Sequence, residues 1–303
     1  MEIYDRRFFL KKGIGIATLL SFEESILKKT KSKLSFSTLG CPDWSFDKII
    51  EVASKNGYKA IEIRGIQRQM DLPLCAEFAN QTAINITNQK IKDKNLQIID
   101  LGSSANLHFM DAKKRQENMD HAKRFIDLAQ KINCPFVRVF PNDLPKEQDE
   151  NKTIDLIISN LIELGVYARG SNVKVLLESH GKVIYKDVLF KIMEATSSHN
   201  VGLIWDIWNM WSVTKEPPTE VYALLKKYIL HTHIKDGIFE NNKPKYVLMG
   251  QGISPLKEAI SLLKKGGYKG YYSLEWEKMW QPEIEEPEIA IPQYAEYFDR
   301  IYR

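Results

Sequence analysis

Residues 34–44 read Leu34-Ser35-Phe36-Ser37-Thr38-Leu39-Gly40-Cys41-Pro42-Asp43-Trp44, a β-rich run closed by a Gly-Cys-Pro turn. An open, doubly wound sheet that binds a dinucleotide would carry a G-x-G-x-x-G phosphate loop after such a first strand, and this stretch has one glycine. Seven more runs of the same kind follow, over Ala60 to Arg64, Leu96 to Ser103, Phe136 to Phe140, Val173 to His180, Gly202 to Asp206, Ile229 to Lys235 and Gly270 to Glu277. Amphipathic stretches separate them. Ser45 precedes one over Phe46 to Asn56 that stops at Gly57; others cover Ala112 to Ile132, Thr153 to Arg169, Lys186 to Ser197, Pro218 to Tyr228, Ser254 to Lys265 and Pro292 to Tyr302. Eight βα units over about 270 residues come to about 34 residues each, the size of a closed parallel barrel with an outer ring of helices. The chain is therefore expected to be an α/β protein built as a single (β/α)8 TIM barrel over residues 34–303, with Asn241 to Gln251 and Gln281 to Pro287 as loops.

Charge narrows the function classes. The chain has 303 residues, with 43 Lys and Arg against 39 Asp and Glu. The first 33 residues hold eight basic and four acidic side chains, which leaves 35 of each in the barrel. A neutral body lacks the clustered basic excess of a nucleic-acid-binding face. Residues 1–33 read as a separate leader. Arg6-Arg7-Phe8-Phe9-Leu10-Lys11 resembles a twin-arginine export motif, with Asp5 where Ser or Thr is usual, and implies a periplasmic address. The following Gly13 to Phe22 stretch is too short for an integral membrane segment. Glu23-Glu24 and the lack of an A-x-A cleavage site point the other way, to an N-terminal arm on a cytoplasmic protein. Cys41, Cys75 and Cys134 have no C-x-x-C spacing and read as buried free thiols.

In a barrel of this kind, chemistry sits at the carboxyl ends of the strands, and residues two apart share a face. The fifth run ends Leu177-Glu178-Ser179-His180, the sixth Ile204-Trp205-Asp206, the seventh His231-Thr232-His233-Ile234-Lys235-Asp236 and the eighth Leu274-Glu275-Trp276-Glu277. Four successive strands thus bring Glu178, Asp206, a histidine and Glu275 to one rim. Three converging carboxylates repel one another unless a cation neutralises them. One divalent metal is expected, with Mn²⁺, Mg²⁺ or Co²⁺ suiting these oxygens better than Zn²⁺. His180, Lys235, His231, Arg138, His108, Asn209 and Glu62 are the candidates for substrate contact, and Arg64 ends the second run beside Glu62. Trp44, Trp205, Trp208, Trp211, Trp276 and Trp280 lie near strand ends, where they would stack on a sugar ring or pack the core.

These motifs, Glu178-Ser-His-Gly181, Trp205-Asp206, His231-x-His-x-Lys-Asp236 and Ser273-Leu-Glu275, taken in order, resemble the xylose isomerase-like TIM barrels that include sugar phosphate isomerase/epimerases and ketose 3-epimerases. The resemblance covers residues 34–303. It implies that Glu178, Asp206, His233 and Glu275 hold the metal, the second histidine of the pair being the ligand. It also implies that Glu178 and Glu275 pass a proton to and from the carbon beside a sugar carbonyl, through an enediolate. Many relatives have a histidine three residues after the metal-binding aspartate; Asn209 stands there, and an amide can hydrogen-bond a hydroxyl but cannot shuttle a proton.

The expected activity is a divalent-metal-dependent sugar isomerase or epimerase acting on a small carbohydrate, with no nucleic acid partner and with a homo-oligomer left open. The alternatives are a keto-sugar lyase or dehydratase on the same metal site, a Schiff-base aldolase using Lys235, a repair nuclease, and a non-catalytic sugar-binding barrel. No glycine-rich phosphate cradle is visible, which favours an unphosphorylated substrate.

Overall fold

In a computed structural model, whose description covers residues 33–302, the short apolar runs become strands buried on both faces, as a parallel sheet wrapped in helices requires. The expected leader, up to Ser32, lies outside the described residues. The barrel strands are β1 (Leu34–Phe36), β2 (Ala60–Ile63), β3 (Gln97–Asn106), β4 (Phe136–Phe140), β5 (Lys174–Glu178), β6 (Val201–Asp206), β7 (Ile229–Ile234) and β10 (Tyr272–Leu274). A hairpin, β8 (Asp236–Glu240) and β9 (Lys243–Val247), precedes the last of them. The helices are α1 (Phe46–Lys55), α2 (Gln81–Asp93), α3 (Ala112–Lys131), α4 (Glu150–Tyr167), α5 (Lys186–Thr196), α6 (Ile207–Thr214), α7 (Pro218–Leu225), α8 (Leu256–Lys265) and α9 (Pro287–Tyr302).

The eight barrel strands pair in the order β1-β10-β7-β6-β5-β4-β3-β2, every neighbour parallel. An isolated parallel bridge between Ser37 and Glu62 joins the two ends, so the barrel is nearly closed. The helices begin where the sequence supplies an N-cap. Ser45 Oγ accepts from Lys48 N–H (3.3 Å), Asp111 Oδ1 from Lys114 N–H (2.8 Å) and Asp149 Oδ1 from Lys152 N–H (2.9 Å). In α1, Phe46, Ile49, Ile50 and Ala53 form the buried stripe that anchors it to the sheet.

Three elements depart from the expected pattern. Helix α2 buries only Ile84, Thr87 and Ile91, a stripe too thin to read in a polar stretch. Helix α6 starts directly at the end of β6, with Asp206 as its N-cap, so no loop signals it. Residues expected to form a loop from Asn241 contain β9 instead. Asn241 and Asn242 both take positive φ (52° and 60°), the left-handed pair that a two-residue hairpin turn demands.

Asp236 ties that hairpin to the following loop. Its buried carboxylate accepts from the backbone N–H groups of Gly237 (2.9 Å), Gly250 (2.9 Å), Gly252 (3.0 Å) and Ser254 (3.2 Å). Glycine is required at 252, because a Cβ there would sit 2.1 Å from Asp236 Oδ1. Asp236→Ala strands these donors, and an unmet buried donor costs about 1–3 kcal/mol, so a total loss of roughly 3 kcal/mol is expected in chemical denaturation. A change below ~0.5 kcal/mol would show that water replaces the carboxylate without penalty. Among the described residues, no helix is long and apolar enough to cross a membrane.

Candidate metal and active site

The site is built in layers along β7 and the residue after it, where His231, His233 and Lys235 follow at every second position and all are fully buried. In the lowest layer, Glu62 of β2 receives three hydrogen bonds on one oxygen. His231 Nε2 (3.2 Å), His233 Nε2 (2.9 Å) and Ser273 Oγ (3.4 Å) all donate to Glu62 Oε2. Burial alone would raise the Glu62 carboxyl, but the two imidazoles hold it well below the usual carboxylate range. With Nε2 committed to Glu62, His233 turns Nδ1 toward Glu178 Oε1 (3.3 Å) and Glu275 Oε1 (3.2 Å).

Around that nitrogen lies the second layer. Glu178, Asp206, His233 and Glu275, all buried, each offer a ligand atom, and these atoms lie within 4.8 Å of one another. Two donors across one ion from each other are about 4 Å apart when each metal–ligand bond is near 2.1 Å, so the four heads fit one coordination shell. Each glutamate has one oxygen anchored by a fixed cation. Arg138 Nη1 donates to Glu178 Oε2 (2.8 Å), and Lys235 Nζ donates to Glu275 Oε2. Lys235 also lies 2.8 Å from Asp206 Oδ2 and 2.8 Å from Glu277 Oε1. The Asp206 contact is off the hydrogen-bond direction, so Oδ2 has a charge partner but no directed donor, while Oδ1 caps Asn209 N–H (3.0 Å).

Electrostatics agree with a cation site. Burial would lower the His233 imidazole, yet Glu275, Glu62 and Glu178 hold it well above its usual range. Burial also opposes the charge on Glu275, which His233 and Lys235 nonetheless keep strongly ionised. Glu178 is likewise lowered, against burial and Glu275, by His233 and Arg138. Asp206 behaves differently: burial pushes its carboxyl up to about 7 in spite of Lys235. A ring of acids that favours any positive charge, with a carboxylate oxygen lacking a directed donor, suits a divalent ion with oxygen preference.

Above this ring opens a cleft of ≈ 80 Å³, lined by Arg64, Arg138, His180, Glu178, Glu275 and Glu277 under Trp280. By the same measure a water needs about 10–15 Å³, so the space holds several polar groups of a small molecule. A wider groove of ≈ 410 Å³ beside α3, lined by Phe78, Ile84 and Arg124 among others, contains none of these converging acids. The converging acids open into the smaller cleft.

Arg138 and His180 line the cleft as expected, and the four expected ligands converge. Five other expected substrate contacts do not line it. Glu62 and His231 lie one strand-pleat too deep and bond to each other beneath the ring. Lys235 is consumed by three carboxylates. His108 is carried past the cleft because β3 runs on to Asn106; its ring packs on Phe109 and its carbonyl accepts from Gln148. Asn209 is taken up in the first turn of α6. Of the six tryptophans, Trp44, Trp205, Trp208 and Trp276 are core residues, Trp211 packs partly buried against the core, and Trp280, 52% exposed, stands at the cleft. The reading missed Glu277, although its spacing from Glu275 repeats the two-residue period. It also missed Tyr246, whose hydroxyl donates to Glu277 Oε1 (3.0 Å) from β9, where the expected loop concealed it.

Glu62 thus orients His233, the candidate ligand. A carboxylate behind a ligating imidazole raises its basicity and fixes its ring, and losing such a partner costs about 10- to 100-fold in metal affinity. Glu62→Gln is expected to weaken Mn²⁺ binding by that factor in calorimetric titration. An unchanged dissociation constant would remove Glu62 from the site.

Comparisons with known proteins identify the fold family. Residues 50–300 match the family model described as xylose isomerase-like TIM barrel. An inosose isomerase of Halalkalibacterium halodurans is 25% identical over 244 residues, covering 78% of this chain and 83% of that protein. A fructoselysine 3-epimerase of Shigella flexneri is 25% identical over 203 residues, 65% of this chain and 71% of the other. The crystal structure of an IOLI protein with a bound zinc atom superposes with a TM-score of 0.74 at 20% identity, covering 89% of this chain and 98% of that one.

Proposed function

The chain belongs to the xylose isomerase-like TIM barrel family, and from that premise we propose that it is a divalent-metal-dependent isomerase or epimerase of a small, unphosphorylated keto-sugar or keto-polyol. One observation carries the reading. Glu178 and Glu275 each have one oxygen pinned by a cation and the other turned to the point that His233 Nδ1 and Asp206 share. Glu178, Asp206, His233 and Glu275 would hold the metal. A bound divalent cation supplies Lewis-acid polarisation of the substrate carbonyl, which acidifies the neighbouring C–H.

The protein's own groups do the rest. One glutamate, kept ionised by its neighbours, takes the proton from the carbon beside the carbonyl, and either the same or the other carboxylate returns a proton. Return by the other inverts the centre, whereas return by the first to the adjacent carbon moves the carbonyl. Arg138 and Lys235 keep both carboxylates aimed while their charge changes. Arg64, also at the cleft, donates to Gly102 O (3.2 Å) and Ser104 Oγ (2.9 Å). The names of the isomerase and epimerase relatives support the same reaction class.

The test is metal analysis of the purified protein, then an NMR screen for C–H exchange in D₂O over ketoses, inososes, keto-glycosides and their phosphates. Exchange without loss of water on an unphosphorylated compound is the expected result. An unsaturated product would make the enzyme a lyase, and metal binding without any exchange would make the barrel a binding protein.

A further inference from the structure

We propose that a directed chain of hydrogen bonds from the Ser104 carbonyl through Asn106 and Asn142 fixes His180 as the Nδ1–H tautomer, so that a bare Nε2 is presented to the cleft as the acceptor for a substrate hydroxyl. The inference rests on the reading of the cleft as a polyol site and names which polar group of that substrate His180 takes.

The direction of the chain follows from its first link. Asn106 Nδ2 donates to Ser104 O (2.9 Å), and a carbonyl can only accept, so the Asn106 side chain cannot be turned over. Its oxygen Oδ1 therefore accepts the next bond, which comes from Asn142 Nδ2. That leaves Asn142 Oδ1 toward His180 Nδ1, 2.7 Å away. An amide oxygen is an acceptor only, so Nδ1 carries the hydrogen and, in the neutral ring, Nε2 has none. Among the described residues no group hydrogen-bonds Nε2, and the His180 ring lines the cleft.

The surrounding structure is shaped to hold this arrangement. Asn142 takes a positive φ (48°), and its carbonyl accepts from Lys182 (2.9 Å) and Val183 (3.3 Å). Gly181, at φ 70°, permits that approach, since a Cβ there would lie 2.4 Å from Asn142 O. Phe140 packs on the His180 ring, centroids 4.6 Å apart, with the Arg138 guanidinium 3.8 Å from its own centroid. The ring is thus restrained by the tilted packing of Phe140 and its tautomer by the asparagines.

The polarity of the cleft becomes specific. Its other charged groups are the guanidinium donors of Arg64 and Arg138 and the carboxylates of Glu178, Glu275 and Glu277, and His180 supplies an uncharged acceptor beside Glu178. A hydroxyl satisfies Nε2, whereas a carboxylate or phosphate oxygen would set lone pair against lone pair. Asn142 and Asn106 act as positioning residues through His180.

The experiment uses the full chain labelled with ¹⁵N-histidine and loaded with Mg²⁺, whose lack of unpaired electrons leaves the spectra sharp. Two-bond ¹⁵N–¹H correlation reads which ring nitrogen of His180 is protonated, the signals being assigned by their loss in His180→Gln. The wild type is expected to show protonated Nδ1 and bare Nε2. Asn142→Leu, which removes the amide, is expected to mix the tautomers and to raise KM about tenfold on the ketose identified by the exchange screen, with the Mg²⁺ dissociation constant unchanged. An Nε2–H form in the wild type overturns the proposal, as does an unaltered pattern in Asn142→Leu. If that variant fails to fold, Asn106→Leu and the wild-type spectrum decide it. Because the spectrum needs no substrate, a failure to find an exchanging ketose would count against the isomerase reading and leave the tautomer standing.

Discussion

Glu275→Gln is expected to lower the conversion of substrate to product by about a thousandfold, the middle of the range that a positioned proton carrier contributes. The substitution keeps volume and one oxygen but removes the charge that faces both His233 and Lys235. A competing effect is loss of fold. Breaking a buried ion pair by neutralising one partner costs about 3–5 kcal/mol when the other charge is left alone. Lys235, however, retains Asp206 and Glu277 within 2.8 Å. The penalty should therefore be smaller than that, and the variant should remain folded, as its melting curve will show. Comparison with Glu178→Gln separates the two chemistries. In an epimerase with one carboxylate on each face, each variant still exchanges the α-proton of one epimer with solvent while net inversion is lost. In an isomerase with a single shuttle, one variant loses exchange and conversion together and the other is affected mainly through metal binding. Conversion within tenfold of the wild type in both variants would eliminate the proton relay.

The barrel and the convergence of Glu178, Asp206, His233 and Glu275 were legible because both depend on short-range periodicity. A parallel strand buried on both faces must be apolar throughout, so an acid at its end, as at Glu178, Asp206 and Glu275, stands out against Leu177, Trp205 and Leu274. Depth along a strand was not legible. His231 and His233 share a face and a residue type, and what separates them is that Glu62, from a strand on the other side of the barrel, lies between them. The same absence of long-range register left Lys235 looking like a substrate ligand, although it is bound by three acids from β6 and the segment after β10. That surrounding bears on one of the alternatives weighed from sequence. A Schiff-base lysine must lose its proton near neutral pH. Burial would favour this in Lys235, but Asp206, Glu275 and Glu277 hold its ammonium well above the usual range. Asn142 and Asn106 were invisible for a simpler reason, since an asparagine just past an apolar run reads as a turn residue and nothing local distinguishes one that steers a histidine.

Removing the metal should abolish exchange and lower the melting temperature without unfolding the protein. A ligand that binds only the native state at a hundredfold over its dissociation constant stabilises it by about 2.7 kcal/mol. In a domain of this size that corresponds to roughly 5–10 °C. The loss stays partial because the barrel does not depend on the ion for its core: Leu177, Leu203, Ile234 and Leu274 are buried beside the ligands and pack whether or not it is bound. Within the ring itself, His233 and Lys235 already offset part of the charge of Glu178, Asp206 and Glu275. The contrast is with small zinc-folded domains, which have no other core and unfold when chelated. EDTA followed by dialysis should therefore give a cooperative melt at lower temperature and no α-proton exchange, with Mn²⁺, Mg²⁺ or Co²⁺ restoring both. Recovery of the melting temperature without exchange would mean that the ion sits in the ring but polarises no carbonyl, and the binding-protein reading would then hold. Exchange that survives chelation would remove the metal from the chemistry altogether, and the four converging side chains would have to be explained as a buried ion-pair network in which Lys235 and His233 are the cations the acids were arranged to meet.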